Sequence, residues 1–193
     1  MIPPVLDTPT PTAQIKRPLP QDGPICLNLG GRDTKIPGFI VVDKKQGENT
    51  DIEGDVSNLS MFVDNSVNTI YASNILEHFS HRRTLSVLRE WCRVLKKGGK
   101  AYISVPDFDA LVDVYKKFGM RQWIIDFGWG GQEYDEAYHY APFTYGTLAG
   151  AIVEGGFRDV VRLKEMPFGL KDCSALVSNA TGQNVCVNVE ATK

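Results

Sequence analysis

The chain has 193 residues, 42% of them hydrophobic and 23% charged, a balance that suits one globular domain with a sizeable core. Its formal net charge of −2 supplies no field that would draw the whole molecule to nucleic acid or to anionic lipid. No apolar run approaches the ~20 residues of a membrane span, and the first residues lack a basic-then-apolar leader, so the expectation is a cytoplasmic protein.

Residues 1–22 stand apart. MIPPVLDTPTPTAQIKRPLPQ carries six prolines and neither a helical nor a strand period, so an extended arm is expected, with the folded domain over 23–193. Such an arm is either a free tail or a strap on the domain or on a second subunit of a homodimer. The four cysteines (Cys26, Cys92, Cys173 and Cys186) form no CxxC pair and show no metal-like spacing with histidine. Cys26 and Cys186 lie inside apolar runs, as reduced structural thiols do. No metal site is expected.

From Pro24 onward, strand-like and helix-like segments alternate, the pattern of a parallel sheet with covering helices. Ile25–Leu29 and Phe39–Asp43 read as strands, followed by a weak one near 51–54, then NTIYA (68–72) and KAYISV (100–105). Ser80 can cap a helix running to about Lys97, with Leu85, Leu88, Cys92 and Leu95 on one face and Gly98-Gly99 at its end. Asp107 opens a second helix in DFDALVDVYKKF, and residues 144–154 form a third. FRDVVRL and NVCVNVE both alternate at the strand period with no helix-length segment between them, so they are expected to pair antiparallel.

In an open parallel sheet, ligands bind outside the carboxyl ends of the strands. Gly30 and Gly31 follow the first strand and permit close backbone approach. Asp43 ends the second and is placed to accept from two ribose hydroxyls. Asp55 follows the third, offering a carboxylate to an adenine amino group while Val56 covers the ring. Ser73 and Asn74 follow the fourth strand, Pro106 and Asp107 the fifth. Each alone has a plain reading as a turn or a cap; the ordered set suits one nucleoside in one crevice.

LNLGG with VVD, GDVSNLSMFVDNSVNTIYASNILEHF, LREWCRVLKKGGKAYISVPD and the NVCVNVEA ending together resemble the class I methyltransferases that use S-adenosylmethionine, closest to their small bacterial-type members. The resemblance runs from Pro24 to the C-terminus. It implies a Rossmann-like, doubly wound α/β fold: a mostly parallel seven-stranded sheet with an antiparallel last strand and helices on both faces. It also implies S-adenosyl-L-methionine as cofactor, with Gly30 and Gly31 in the cofactor loop, Asp43 at the ribose, Asp55 and Val56 at the adenine, and Ser73 and Asn74 along the methionine portion. Arg32 departs from the family in replacing the second loop glycine, and Asn28 in replacing an acid. Asn28 can still meet the cofactor's amino group; Arg32 either pairs with its carboxylate or fills the pocket. Between Gly31 and Phe39 there is no room for the helix that usually stands there.

A base is needed only where the acceptor loses a proton as it attacks. The candidates are His139, within the aromatic stretch EYDEAYHYAPFT, His78 in LEHF, and Asp107. Their structural alternatives are a packed histidine, a loop hydrogen bond and a helix cap. The aromatics from Trp129 to Tyr145 read equally as a sugar-stacking surface or as core. The expected acceptor is a small molecule or a carbohydrate hydroxyl. No (D/N)PP(Y/F) stretch and no basic stripe is present, which weighs against DNA and RNA. Two rival readings are a catalytically inactive, cofactor-sensing or partner-binding protein on the same fold, and an NAD-dependent oxidoreductase. The latter would want GxGxxG opening a helix, which GGRDTKIPG does not supply.

Overall fold

Short β-branched runs build the centre of the molecule. A computed structural model describes residues 13–18, 22–170 and 175–193. Most of the expected arm and the segment holding Cys173 therefore lie outside the described residues. The strands are β1 (Gln14–Ile15), β2 (Ile25–Leu29), β3 (Phe39–Asp43), β4 (Ile52–Glu53), β5 (Val67–Ser73), β6 (Leu95–Pro106), β7 (Arg158–Leu163) and β8 (Cys186–Thr192). The helices are α1 (Thr84–Val94), α2 (Phe108–Phe118), α3 (Gln122–Trp129), α4 (Tyr145–Glu154) and α5 (Ala175–Thr181).

All eight strands share one sheet, in the order β1-β4-β3-β2-β5-β6-β8-β7. β4, β3, β2, β5 and β6 run parallel. β8 inserts antiparallel between β6 and β7, the reversed ending that the alternating C-terminal segments had suggested. The expected seven strands gain an eighth from the arm, where Gln14 and Ile15 pair antiparallel with Glu53 and Ile52.

The two faces of the sheet are covered differently. On one, Leu27, Val42, Ile70, Ile103 and Val189 meet Val87, Leu88 and Trp91 of α1 and Leu148 and Ile152 of α4. The Trp91 ring is fully buried, and its Nε1 donates to the Val56 carbonyl at 2.9 Å. On the other, α2, α3 and α5 gather Leu111, Val114, Ile124, Phe127 and Val177 over Cys186. Among the described residues, the middle of that second face carries no helix. The Phe168 ring stands edge-on to Phe39, Tyr71 and Tyr102, at centroid distances of 4.9, 6.1 and 5.4 Å. Residues 31–38 form only turns, as their length required.

Some boundaries differ from expectation for local reasons. α1 ends at Val94 because the buried Leu95 already pairs with Val67 as part of β6. It starts at Thr84, and the Ser80 carbonyl accepts from the Arg83 and Thr84 amides in the preceding turn. α3 and α5 have eight and seven residues, too few for their apolar positions to set a period.

Candidate active site

The carboxyl ends of β2, β3, β4 and β5 open onto one cavity of about 470 Å³, lined by Gly30, Arg32, Asp43, Asp55, Val56, Asn74 and His78 among others. Gly30 takes φ +72°, and a Cβ there would stand 2.8 Å from Ile75 Cδ1, so the turn needs glycine for both reasons. A Cβ on Gly31 would collide with the Asn28 amide. Asn28 is buried and donates from Nδ2 to the Thr34 carbonyl at 2.9 Å, which fastens the loop from beneath.

That loop shapes Asp43. The Arg32 amide donates to Asp43 Oδ2 at 3.1 Å and the Lys45 amide to Oδ1 at 2.8 Å. Partial burial pushes the Asp43 carboxyl up, against the downward pull of the two N–H groups. Each oxygen keeps acceptor capacity toward the cavity, since a carboxylate oxygen can take more than one hydrogen bond. The Arg32 guanidinium turns to Asp33, with Nε 2.8 Å from Oδ2, and its side chain stays exposed at the rim rather than filling the pocket.

Asp55 Oδ1 accepts from the Ser57 amide at 2.8 Å and from its hydroxyl at 2.6 Å, while Arg83 Nη2 donates to Ser57 Oγ at 2.9 Å. With Trp91 holding the Val56 carbonyl, this fixes the turn after β4. Asn74, at φ +53°, occupies the left-handed region that asparagine tolerates. Its amide donates to Ser104 O at 2.9 Å, and its Nδ2 to Glu77 Oε1 at 2.9 Å. Asn28, Gly31, Ser73 and Asn74 line an adjoining cavity of about 270 Å³, which also touches Gly30.

The far wall comes from a distant segment. Glu136 bridges Lys44 at 2.9 Å and Lys45 at 3.3 Å, and the Lys45 ammonium lies 3.2 Å from the centroid of the Tyr134 ring. The two ammonium groups hold the Glu136 carboxyl down at about 2. The aromatic stretch reads as a segment able to cover the crevice, but its ties to Lys44 and Lys45 were not anticipated; the Lys-Lys pair after VVD was a visible sign of them.

His78 and His139 meet edge to face, with ring centroids 4.7 Å apart. His78 lines the first cavity, and His139 a further, mostly apolar one of about 370 Å³ together with Phe108, Leu111, Met120, Trp129 and Tyr140. Burial lowers both imidazoles, His139 to about 4 with a further push from His78, so both are neutral at physiological pH. Glu77, not singled out in the sequence, is 1% exposed, and burial drives its carboxyl up to about 8.

Asp107 stands apart from these cavities. Its Oδ1 caps α2 through the Asp109 amide at 3.2 Å, and its Oδ2 pairs with Arg162 at 3.0 Å. The aromatic stretch divides: Phe143 is buried, whereas Trp129, Tyr134, Tyr138 and Tyr140 are exposed.

Residues 36–103, from the turn before β3 well into β6, match the profile of the family described as a methyltransferase domain. Among curated proteins no relative matches the sequence. Among solved structures, a SAM-dependent methyltransferase from Archaeoglobus fulgidus is 16% identical, with a TM-score of 0.55 over 88% of this chain and 86% of that one. The Burkholderia thailandensis 1,6-didemethyltoxoflavin-N1-methyltransferase, solved with 1,6-didemethyltoxoflavin and S-adenosylhomocysteine, is 15% identical, with a TM-score of 0.54 over 88% and 71%. Haemonchus contortus phosphoethanolamine N-methyltransferase 2, in complex with S-adenosyl-L-methionine, is 15% identical with a TM-score of 0.54, over 89% of this chain and 49% of that one. Likeness at such identities speaks for the fold. The profile match spans about a third of the chain, and that stretch resembles a methyltransferase domain on the fold these structures share. No helix among the described residues is long and apolar enough to cross a membrane.

Proposed function

We propose that the chain transfers a methyl group to a small-molecule acceptor, with the donor in the polar cavity and the acceptor in the apolar one. The observation that carries this reading is the convergence of Gly30, Asp43, Asp55, Val56 and Asn74, from separate strand ends, on a single cavity of about 470 Å³. That is within the roughly 300–1,000 Å³ of small-ligand sites. The residues present suit the donor. Asp43 has free acceptor capacity for ribose hydroxyls, Asp55 and Val56 offer a carboxylate and an apolar cover for adenine, and Gly30 leaves a space that a Cβ would intrude upon. Gly31, Ser73 and Asn74 would flank the methionine portion, Asn28 would hold the loop beneath it, and Arg32 at the rim would meet the carboxylate by leaving Asp33.

When bound, S-adenosylmethionine supplies a sulfonium methyl group open to in-line displacement. The chain's own work is alignment and the exclusion of water, and alignment alone is worth up to ~7–11 kcal/mol. The Tyr134–Glu136 strap closes the donor cavity on one side. His139 and His78, both neutral, stand between the cavities, and His139 is the group placed to take a proton from an acceptor hydroxyl. Asp107 serves as an anchor for α2 and β7, without contact to the reacting groups.

The test is calorimetric titration with S-adenosylmethionine and with NAD, followed by assay of S-adenosylhomocysteine release with phenolic, enolic and sugar acceptors. Binding of the sulfonium compound but not NAD supports the donor site. Binding without turnover on any acceptor favours the cofactor-sensing alternative. A folded protein that takes up neither ligand overturns the reading.

A further inference from the structure

Glu77, His78 and His139 each present one ligand-type atom, and these atoms lie within 4.8 Å of one another. The three residues come from the short turn after β5 and from a loop 61 positions onward, so the fold and not local sequence assembles them. Glu77 Oε1 accepts from Asn74, while Oε2 is buried and has no partner among the described residues. A buried carboxylate oxygen left in that state needs either a cation or a proton.

Both imidazoles are already oriented for ligation. His78 Nδ1 lies 3.0 Å from the Tyr138 carbonyl, and His139 Nδ1 lies 3.0 Å from the Phe127 carbonyl. Hydrogens on Nδ1 leave the lone pairs on Nε2, the arrangement in which backbone carbonyls fix the tautomer of metal-bound histidines. The loop is locked as well: the His139 amide donates to Trp129 O at 3.0 Å, and the Tyr140 amide to Glu77 O at 2.8 Å. The carbonyls of Asn74 and Glu136 also face the His78 ring and are its other available partners.

We propose that Glu77, His78 and His139 bind one divalent first-row transition-metal ion where the donor and acceptor cavities adjoin. Two imidazole nitrogens and one carboxylate oxygen suit zinc, iron, cobalt or manganese, whereas magnesium and calcium favour all-oxygen sets. Bonds of 2.0–2.2 Å put tetrahedral ligands about 3.3 Å apart, so the side chains close inward by a small rotamer adjustment when the ion enters. Three protein ligands leave a position open, beside the apolar cavity, for an acceptor oxygen. None of its three side chains is assigned to S-adenosylmethionine, and only the occupant of the open position rests on the proposed function. With the ion bound, His139 Nε2 is a ligand and not the proton acceptor, and the metal instead makes the acceptor hydroxyl easier to deprotonate.

The test uses the untagged full chain, stripped with a chelator and titrated with Zn²⁺ alone by calorimetry and with Co²⁺ by visible absorption. One ion per chain is expected, with d–d bands for Co²⁺. Affinity should fall by at least about tenfold in Glu77→Gln and in His139→Ala, with the Co²⁺ bands lost in the latter. His78→Gln replaces either variant that fails to fold by circular dichroism. Absence of stoichiometric Zn²⁺ and Co²⁺ binding, or binding unchanged in these variants, overturns the proposal. S-adenosylmethionine titrated in parallel separates the two readings: uptake of donor without metal sinks only this one, and metal without donor sinks only the other.

Discussion

Lys45 and Tyr134, 89 positions apart in the chain, are in direct contact: the ammonium sits 3.2 Å from the ring centroid, beside the Lys44–Glu136–Lys45 ion pairs. One wall of the cavity proposed for the donor is thus tied to the end of β3 by charge and not by apolar burial. Glu136→Ala should leave thermal stability nearly unchanged, because exposed pairs are worth about 0–1 kcal/mol. It should weaken S-adenosylmethionine binding several-fold and remove part of its salt dependence. Calorimetry at low and high salt checks this; an unaltered affinity would detach the strap from the site.

The same pairs should give way in acid. Glu136 lies at about 2 in the folded chain against an ordinary 4.5, so the unfolded chain binds the extra proton first. Its contribution is complete above pH 4.5 and is lost as pH falls through about 2. Melting curves between these values should show a slightly shallower acid decline for Glu136→Gln than for the parent chain. Identical slopes would mean that the pairing carries no free energy.

Asp43→Ala should abolish measurable donor binding while the fold persists. The carboxylate lies at a strand mouth and is only half-buried, but it also collects the amides of Arg32 and Lys45. Charge-assisted bonds of about 1.5–3 kcal/mol each imply a loss of roughly 10²-fold or more. Asp43→Asn, which keeps one acceptor, should lie between. Calorimetry with circular dichroism as the folding control decides; parent-like affinity in the alanine variant would take Asp43 out of the site.

Trp91 joins the core to the Asp55–Val56 turn, the one proposed to face adenine. Its truncation to alanine should cost about 3–5 kcal/mol, enough to unfold a marginally stable domain. Trp91→Phe keeps the aromatic core contact but removes the bond to Val56 O, about 1 kcal/mol, and part of the ring volume, about 1 kcal/mol or more again. That variant should fold and bind the donor more weakly. Chemical denaturation and calorimetry on the one sample separate the two effects.

What could be read in the chain followed distance in sequence. Asp43 ends a short apolar run, Asn74 follows one, and Asp55 comes just after a weaker strand; the rule that ligands meet the carboxyl ends of parallel strands was enough to bring them into one crevice. The reversal at β8 was legible because FRDVVRL and NVCVNVE alternate clearly. Lys44 with Glu136, and Glu77 with His139, belong to contacts between remote segments, and neither periodicity nor turn chemistry encodes those. Asp107 drew notice as a residue at a strand end, yet its partner Arg162 lies 55 positions away on β7. The register of β6 was hidden for a different reason: Lys96 and Lys97 are good helix formers, and the pairing of Leu95 with Val67 overrides them.

The margins of the sheet bear on how copies of this chain can meet. The β1 border is two residues long and is flanked by Lys16, Arg17 and Pro18; the β7 border is broken by a register shift and by Asp159 at φ +53°, and it carries Arg158 and Arg162. Among the described residues, neither rim presents a long, flat row of unpaired amides and carbonyls onto which a neighbour could zip. Self-association by continuous strand addition, and the fibrous growth that it permits, is thereby discouraged at both ends.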